Sequence, residues 1–251
     1  MASPSRSARV DGRTVLVTGA TGFLGRHVSA HLCAQGWHVL GVARSAEGPG
    51  DGVCDAYRSA DLRQERLDAL LRWYAPTALV HLAGTASVAR SVEDPATDYE
   101  NNVSVWFRVL DSLRRAAPAC RALFVASAAV YGQPEIFTVA ENAPTEPISP
   151  YGRHKLICEA LAAEFHTCHG LPTAVARVFS AYGPGLRKQL GWDLCQKATQ
   201  AGSVVLGGTG EETRDFLHAA DVARGLELML ESADFQAEVY NLASGVETTI
   251  A

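Results

Sequence analysis

No block of lysine or arginine runs anywhere in this 251-residue chain, whose formal charge is −5. The electrostatic footprint of a nucleic-acid or anionic-lipid binder is therefore missing. Also missing is an apolar run long enough to span a bilayer: the stretch Ala78–Gly84 is far too short, and the opening residues MASPSRSARVDGR lack the apolar core of a signal peptide. These absences predict a cytoplasmic protein with no nucleic-acid and no membrane partner, acting on a small soluble ligand. The six cysteines (Cys33, Cys54, Cys120, Cys158, Cys168, Cys195) form no CxxC pair and read as plain thiols. His154 with Cys158 and His166 with His169 share helical spacings, but no third or fourth ligand follows, so no metal is expected. The chain has no internal repeat and no low-complexity linker.

What is present is material for a full core, with 47% hydrophobic and 20% charged residues. Short β-branched runs alternate with longer amphipathic segments, which predicts an α/β fold with a doubly wound parallel sheet. Strands are expected at Thr14–Thr18, His38–Ala43, Ala78–Leu82, Ala122–Ser127, Thr173–Val178 and Val239–Leu242, with a short third strand before the segment SADL. Helices are expected near Phe23–Gln35, Arg63–Tyr74, Pro95–Ala117, Pro150–His169, Leu186–Ala201 and Ala220–Ser232. Arg44–Gly52 reads as a surface turn, and Gln133–Ser149, with Pro134, Pro144 and Pro147, as a long ordered loop. Gly and Pro recur from Ala181 onward (YGPGLRKQLG, LGGTGEET), so a smaller region that holds substrate is expected after the sixth strand.

The strongest motif is VLVTGATGFLGRHV: a strand ending in Thr18, then Gly19, Gly22 and Gly25, then a helix. Glycines let the turn close and let backbone N–H groups approach a pyrophosphate at the positive end of the helix. This GxxGxxG turn predicts a Rossmann-type dinucleotide site. At the end of the second strand, an acid would select NAD and a positive group NADP. Arg44 can pair with a 2′-phosphate, with Ser45 adding a hydrogen bond, so NADP(H) is favoured. Alternatively Arg44 is a solvated turn residue, Glu47 or Asp51 supplies the acid, and the cofactor is NAD(H). Asp61 is placed either to meet the adenine edge or to cap the helix beginning near Arg63.

A second motif, Tyr151-Gly-Arg-His-Lys155, sets Tyr and Lys on one helix face. An ammonium beside a phenol whose ordinary pKa is about 10 is a physical means of making it a working acid or base. LFVASAAVYG puts Ser127 at the carboxyl edge of the sheet, where doubly wound folds bind ligands.

With these motifs the chain resembles the extended short-chain dehydrogenase/reductase family, the NAD(P)-dependent epimerases, dehydratases and reductases of nucleotide sugars. TGATGFLG, HLAG (His81–Gly84), Asn102, SAAVYG, YGRHK, RVFSAYGPG, TRDFLHAADVA and YNLASG follow in the family's order from Val15 to Gly245. The resemblance implies that Tyr151 transfers the proton, Lys155 holds the nicotinamide ribose, and Ser127 hydrogen-bonds the sugar oxygen. It implies a cofactor cradle of Gly19, Thr21, Gly22, Phe23, Leu24, Gly25, Arg44, Ser45, Asp61, Leu62, Leu82, Ala83, Gly84, Asn102, Tyr151, Lys155 and Val178. Substrate contacts fall on Ser127, Ser180 and Arg214, with Arg214 on the diphosphate or, failing that, in an ion pair with Asp215 or Glu212. Tyr182, Gly183 and Pro184 would wall the nicotinamide, or simply pack.

Three departures from the family pattern matter. Where 4,6-dehydratases carry Asp and Glu after the Ser or Thr, this chain has Ala128 and Ala129, which cannot move a proton. Ser180 stands where many relatives have Asn. Relatives continue beyond YNLASG, whereas this sequence stops at Ala251, so the substrate lobe is expected to be truncated. The implied division is a Rossmann domain over 10–180 with 214–243 returning to it, and a partial lobe from 181–213 and 244–251. The activity expected first is NADPH reduction of a 4-keto nucleotide hexose. A 4-epimerase with tightly held NAD is the alternative, and a non-catalytic dinucleotide-binding protein is the reading from another class. By resemblance a homodimer would form through Pro95–Ala117 and Pro150–His169.

Overall fold

The computed structural model describes residues 12–134, 136, 138–188, 192, 194–197, 199 and 211–250. Seven strands form one parallel sheet in the order β3-β2-β1-β4-β5-β6-β9: β1 Thr14–Thr18, β2 His38–Ala43, β3 Ala56–Ser59, β4 Ala78–His81, β5 Arg121–Ser127, β6 Thr173–Val178 and β9 Gln236–Leu242. β1 and β6 are buried at every position, β4 likewise, as expected of strands covered by helices on both faces. The order reverses at β1, with β2 on one side and β4 on the other, and that crevice is where such sheets bind ligands.

Helices cover both faces: α1 Phe23–Ala34, α2 Asp68–Tyr74, α3 Val88–Glu93, α4 Pro95–Tyr99, α5 Val105–Ala116, α6 Pro150–His169 and α7 Ala219–Ser232. One core layer joins Leu16, Leu79, Trp106, Leu110 and Phe124 under α5 and α6. The other joins Val17, Val28, Leu32, Ala176, Leu226 and Phe235 under α1 and α7.

Three expectations change. Pro95–Ala117 is not one helix: a π-helical turn over Glu100–Ser104 separates α4 from α5 and carries Asn102. Such widened turns recur at functional sites. Arg63–Tyr74 is helical only from Asp68, because Asp61 and Arg63 close a local turn first: the Asp61 carboxylate accepts from the Arg63 backbone N–H and its guanidinium. A second sheet, unread in the sequence, pairs β10 Glu247–Thr249, β8 Thr213–His218 and β7 Ser180–Tyr182. Thr213–His218 thus lies with β7, and α7 follows from Ala219. Of the expected helix Leu186–Ala201, residues 192, 194–197 and 199 are helical; 189–191, and most of the expected lobe up to 210, lie outside the described residues.

Candidate active site

The carboxyl ends of β1, β2, β3, β4, β5 and β6 bring Gly19, Arg44, Asp61, Leu82–Gly84, Ser127 and Val178 to one edge of the sheet. At β1 the turn is built for close approach. Gly19 has φ +71°, and a β-carbon there would sit 2.7 Å from the Ala83 backbone nitrogen. A β-carbon on Gly25 would overlap the Gly19 carbonyl oxygen, so Gly25 serves the packing of α1 onto the turn. Gly22 caps α1 without a side-chain hydrogen bond, which leaves the helix's first N–H groups to an anion. Thr21 completes the same turn, and Phe23 and Leu24 open α1.

The neighbouring loop is pinned from below. Thr18 Oγ1 accepts from the backbone N–H of Leu82 and Ala83 at 3.2 and 3.3 Å and shares a hydrogen bond of 2.9 Å with His81 Nδ1. Burial, then the charge of Lys155, pushes His81 down to about 3 and holds it neutral. Asn102 in the π turn is 1% exposed. Its amide nitrogen donates to Thr85 and to Asp98, while Oδ1 has no partner among the described residues. That oxygen would stand 2.5 Å from a β-carbon on Gly84. A buried acceptor left open beside a bare glycine turn and an uncapped helix suits a ribose or pyrophosphate group, so these residues fit a dinucleotide.

Beyond β2, the Tyr57 hydroxyl donates to the carbonyls of Ala43 and Ser45 at 3.2 and 2.6 Å, fixing the backbone on either side of Arg44. Arg44 is exposed. Asp61 is engaged by Arg63, whose hydrogen bonds hold its carboxyl near 2, with Arg44 a smaller influence. Asp61 thus closes a local turn ahead of α2, whose cap is Leu67, and Leu62 beside it is buried.

Tyr151, Lys155 and Ser127 come together. Ser149 caps α6 by accepting from Gly152 N–H at 3.1 Å, and Pro150 follows at the helix start. Ser91 Oγ accepts from the Tyr151 N–H at 3.1 Å. Tyr151 and Lys155 are both 8% exposed. The lysine does not touch the phenol: Nζ donates to the Val125 carbonyl at 3.1 Å and lies 5.9 Å from the centre of the Tyr151 ring. Burial pushes Tyr151 up to about 12, opposed by a hydrogen bond from Ser127, while the Asp98 charge adds to the rise. Ser127 is the neighbour that draws the phenol down. Burial likewise lowers Lys155.

Ser180 and Arg214 sit on the second sheet, Ser180 on β7 opposite Phe216 and Arg214 on β8 opposite Thr248. Arg214 is exposed and donates to the Thr213 carbonyl at 2.7 Å. Asp215 spends its carboxylate on Ser244 and Gly245, so it is not the ion-pair partner considered for Arg214. Tyr182 stacks edge-on against His218, ring centres 5.3 Å apart, and His27 Nε2 lies 2.9 Å from the Pro184 carbonyl; that wall is packed against α1. Among the described residues no three His, Cys, Asp or Glu side chains gather to hold a metal, and no helix is long and apolar enough to cross a membrane.

Sequence reasoning missed a buried polar network around the 133–149 loop. Arg177 binds Glu159 through two hydrogen bonds of 3.0 and 2.7 Å and donates to the Tyr131 hydroxyl and the Glu141 carbonyl. Tyr131 donates on to Asn241. Missed also was the pair His154–Asp98, whose members are 56 residues apart.

Residues 15–243 match the model of the NAD dependent epimerase/dehydratase family. The chain belongs to that family. A UDP-glucose 4-epimerase of Rhizobium leguminosarum bv. trifolii is 31% identical, over 95% of this chain and 79% of its own length. Among solved structures, UDP-glucose 4-epimerase from Brucella ovis in complex with NAD is 31% identical with a TM-score of 0.85, over 95% of this chain and 79% of that one. UDP-glucuronic acid 4-epimerase from Bacillus cereus, in complex with UDP-glucuronic acid and NAD, gives 26% and 0.85, over 94% and 79%. The fold expected from the motifs, a Rossmann-type parallel sheet of the extended short-chain dehydrogenase class, is the one found.

Proposed function

We propose that this family member is a nucleotide-sugar 4-epimerase that retains NAD, acting on a UDP-hexose or a close relative. The observation that carries this is the pairing of an assembled Ser127–Tyr151–Lys155 cluster with alanine at both positions of the turn after Ser127. Ala128 and Ala129, which open that turn, offer no acid or base, so water elimination lacks its proton carriers. Proton transfer at one hydroxyl remains, and the relatives named above are 4-epimerases. Tyr151 takes the proton from the sugar hydroxyl and later returns it. Ser127 holds that oxygen during the exchange, and Lys155 supplies positive charge at the nicotinamide ribose. Bound NAD supplies the hydride acceptor and donor. Arg214 is assigned to the substrate diphosphate and Ser180 to the sugar side of the cleft.

Net reduction of a 4-keto sugar by NADPH is the second reading, and Arg44 is its support, exposed at the end of β2 and ready for a 2′-phosphate. One experiment separates them. The purified chain is denatured, the released nicotinamide identified, and the native protein incubated with UDP-glucose without added cofactor. Stoichiometric NAD and appearance of the 4-epimer are expected. An empty protein that binds NADPH more tightly than NADH overturns the epimerase reading in favour of reduction; intact binding of either with no turnover of any nucleotide sugar leaves a dinucleotide-binding protein. We further infer a homodimer through α5 and α6, where Phe107 and Ile157 are 46% and 40% exposed.

A further inference from the structure

His154 Nδ1 lies 2.6 Å from Asp98 Oδ2, with the two side chains 11% and 4% exposed. Burying a carboxylate is costly unless donors meet its oxygens. Here they do: Oδ2 faces the imidazole, while Oδ1 accepts from Thr85 Oγ1 at 2.7 Å and from Asn102 Nδ2 at 3.2 Å. The four partners come from four segments: the loop after β4, α4, the π turn and α6. The π turn that carries Asn102 is thereby tied to the helix that carries Tyr151 and Lys155. His154 stands three residues after Tyr151 and one before Lys155, so on α6 it shares a face with the phenol.

Neutral groups would suffice for a clamp. This one holds a carboxylate against His154, on the helix that carries both site residues, and its charge favours the Lys155 ammonium and opposes the Tyr151 phenolate. Other groups face the couple, but each is otherwise accounted for. Glu159 is bound by Arg177. Burial pushes the Cys158 thiol up to about 12 and His81 down to about 3. Ser127 offers a hydrogen bond without a charge.

We propose that Asp98, clamped by His154, Thr85 and Asn102, is a positioning residue for the Tyr151–Lys155 couple: it locks the π turn to α6 and sets a carboxylate against the helix that carries the phenol and the ammonium. The proposal rests on Tyr151 being the proton-transfer residue. Burial lowers Lys155 and Asp98 is one of the charges that oppose this, while the same charge makes the phenol hold its proton more firmly, ready to return it to the sugar oxygen.

The test is a spectroscopic titration of the Tyr151 phenolate in the intact, cofactor-loaded chain, taken as the difference from Tyr151→Phe. Asp98→Asn keeps the shape and removes the charge, so the Tyr151 midpoint should fall by at least about half a pH unit. His154→Gln keeps a donor on Asp98 and keeps its charge, so the midpoint should stay within about 0.2 unit of native. No fall in Asp98→Asn, or an equal fall in both variants, overturns the proposal, since the first denies the charge and the second traces the effect to loosened packing. If Asp98→Asn does not fold, Asp98→Asn with His154→Gln, an amide donating to an amide, takes its place with the same expected fall. The titration needs no turnover, so a chain without epimerase activity still answers it. In a chain that does turn over, the acidic limb of kcat should move to lower pH in Asp98→Asn with KM within about twofold.

Discussion

A β-carbon on Gly152 would stand 2.5 Å from the carbonyl oxygen of Ala129 and 2.9 Å from the Pro147 side chain. The first turn of α6 therefore lies directly on the turn that follows Ser127, and this contact sets Tyr151 against Ser127. Gly152→Ala must push the two apart, because the obstacle is backbone and a proline ring rather than a flexible side chain. We expect a destabilisation of roughly 1–3 kcal/mol, in the range of overpacked sites, and a loss of kcat larger than any change in KM. Thermal unfolding and steady-state kinetics of the one variant check both.

The pH dependence follows from the Ser127–Tyr151 contact. As a base Tyr151 must be phenolate, so activity rises with pH through its working pKa. Burial raises that value and the Ser127 hydrogen bond lowers it. Removing the hydroxyl in Ser127→Ala leaves burial less opposed, so the acidic limb of kcat should move to higher pH, with a loss of about 10- to 100-fold near neutrality. A limb that stays in place, or moves to lower pH, would show that the hydroxyl does not tune the phenol. Tyr151→Phe should lower kcat by at least about 100-fold and leave NAD bound after purification.

How much of this site could be read in the sequence depends on the distance over which each contact is made. The glycine turn and α6 were legible because their signals are local: Gly19, Gly22 and Gly25 sit within seven residues, and Ser149–Pro150 caps the helix that begins there. β7 and β10 were not, because three-residue strands carry no period and form only by pairing with β8. The π turn at Glu100–Ser104 interrupts an apolar pattern that reads equally well as one continuous helix. Asp98 and His154 offer no motif at all, since each becomes meaningful only when α4 folds onto α6. For Asp61 a local reading and a ligand reading fall on one residue, and its carboxylate is hydrogen-bonded to Arg63.

The Arg177–Glu159 pair should matter to stability more than to chemistry. Both side chains are nearly buried, at 6% and 7% exposure, and their hydrogen bonds extend through Tyr131 to Asn241. Removing one partner of a buried ion pair strands the other, at a cost of about 3–5 kcal/mol. Arg177→Leu should therefore lower Tm by roughly 6–20 °C. It should also free the 133–149 loop, which Arg177 holds through the Glu141 carbonyl. Hydrogen exchange over residues 138–146 is the second readout: protection lost there in Glu159→Gln as well as in Arg177→Leu assigns the loop's order to this network.

The exposed apolar residues on α5 and α6 bear on assembly. Phe107 packs edge-on against Phe165, ring centres 5.6 Å apart, yet stays 46% exposed, and Ile157 on the adjoining helix is 40% exposed. Tyr99, 44% exposed, adds a third apolar surface beside the π turn. A second copy of the same two helices would cover Phe107 and Ile157, since a two-fold contact sets one surface against its own copy. A dimer is therefore expected in sedimentation equilibrium, and Phe107→Glu with Ile157→Glu should give a folded monomer, because neither side chain belongs to the buried core. The same variant probes the active site from behind: α6 carries Tyr151 and Lys155, so if the partner's helices brace it, the monomer should lose kcat while its NAD content stays near native. A wild-type chain that sediments as a monomer at all concentrations removes this face from the account of catalysis altogether.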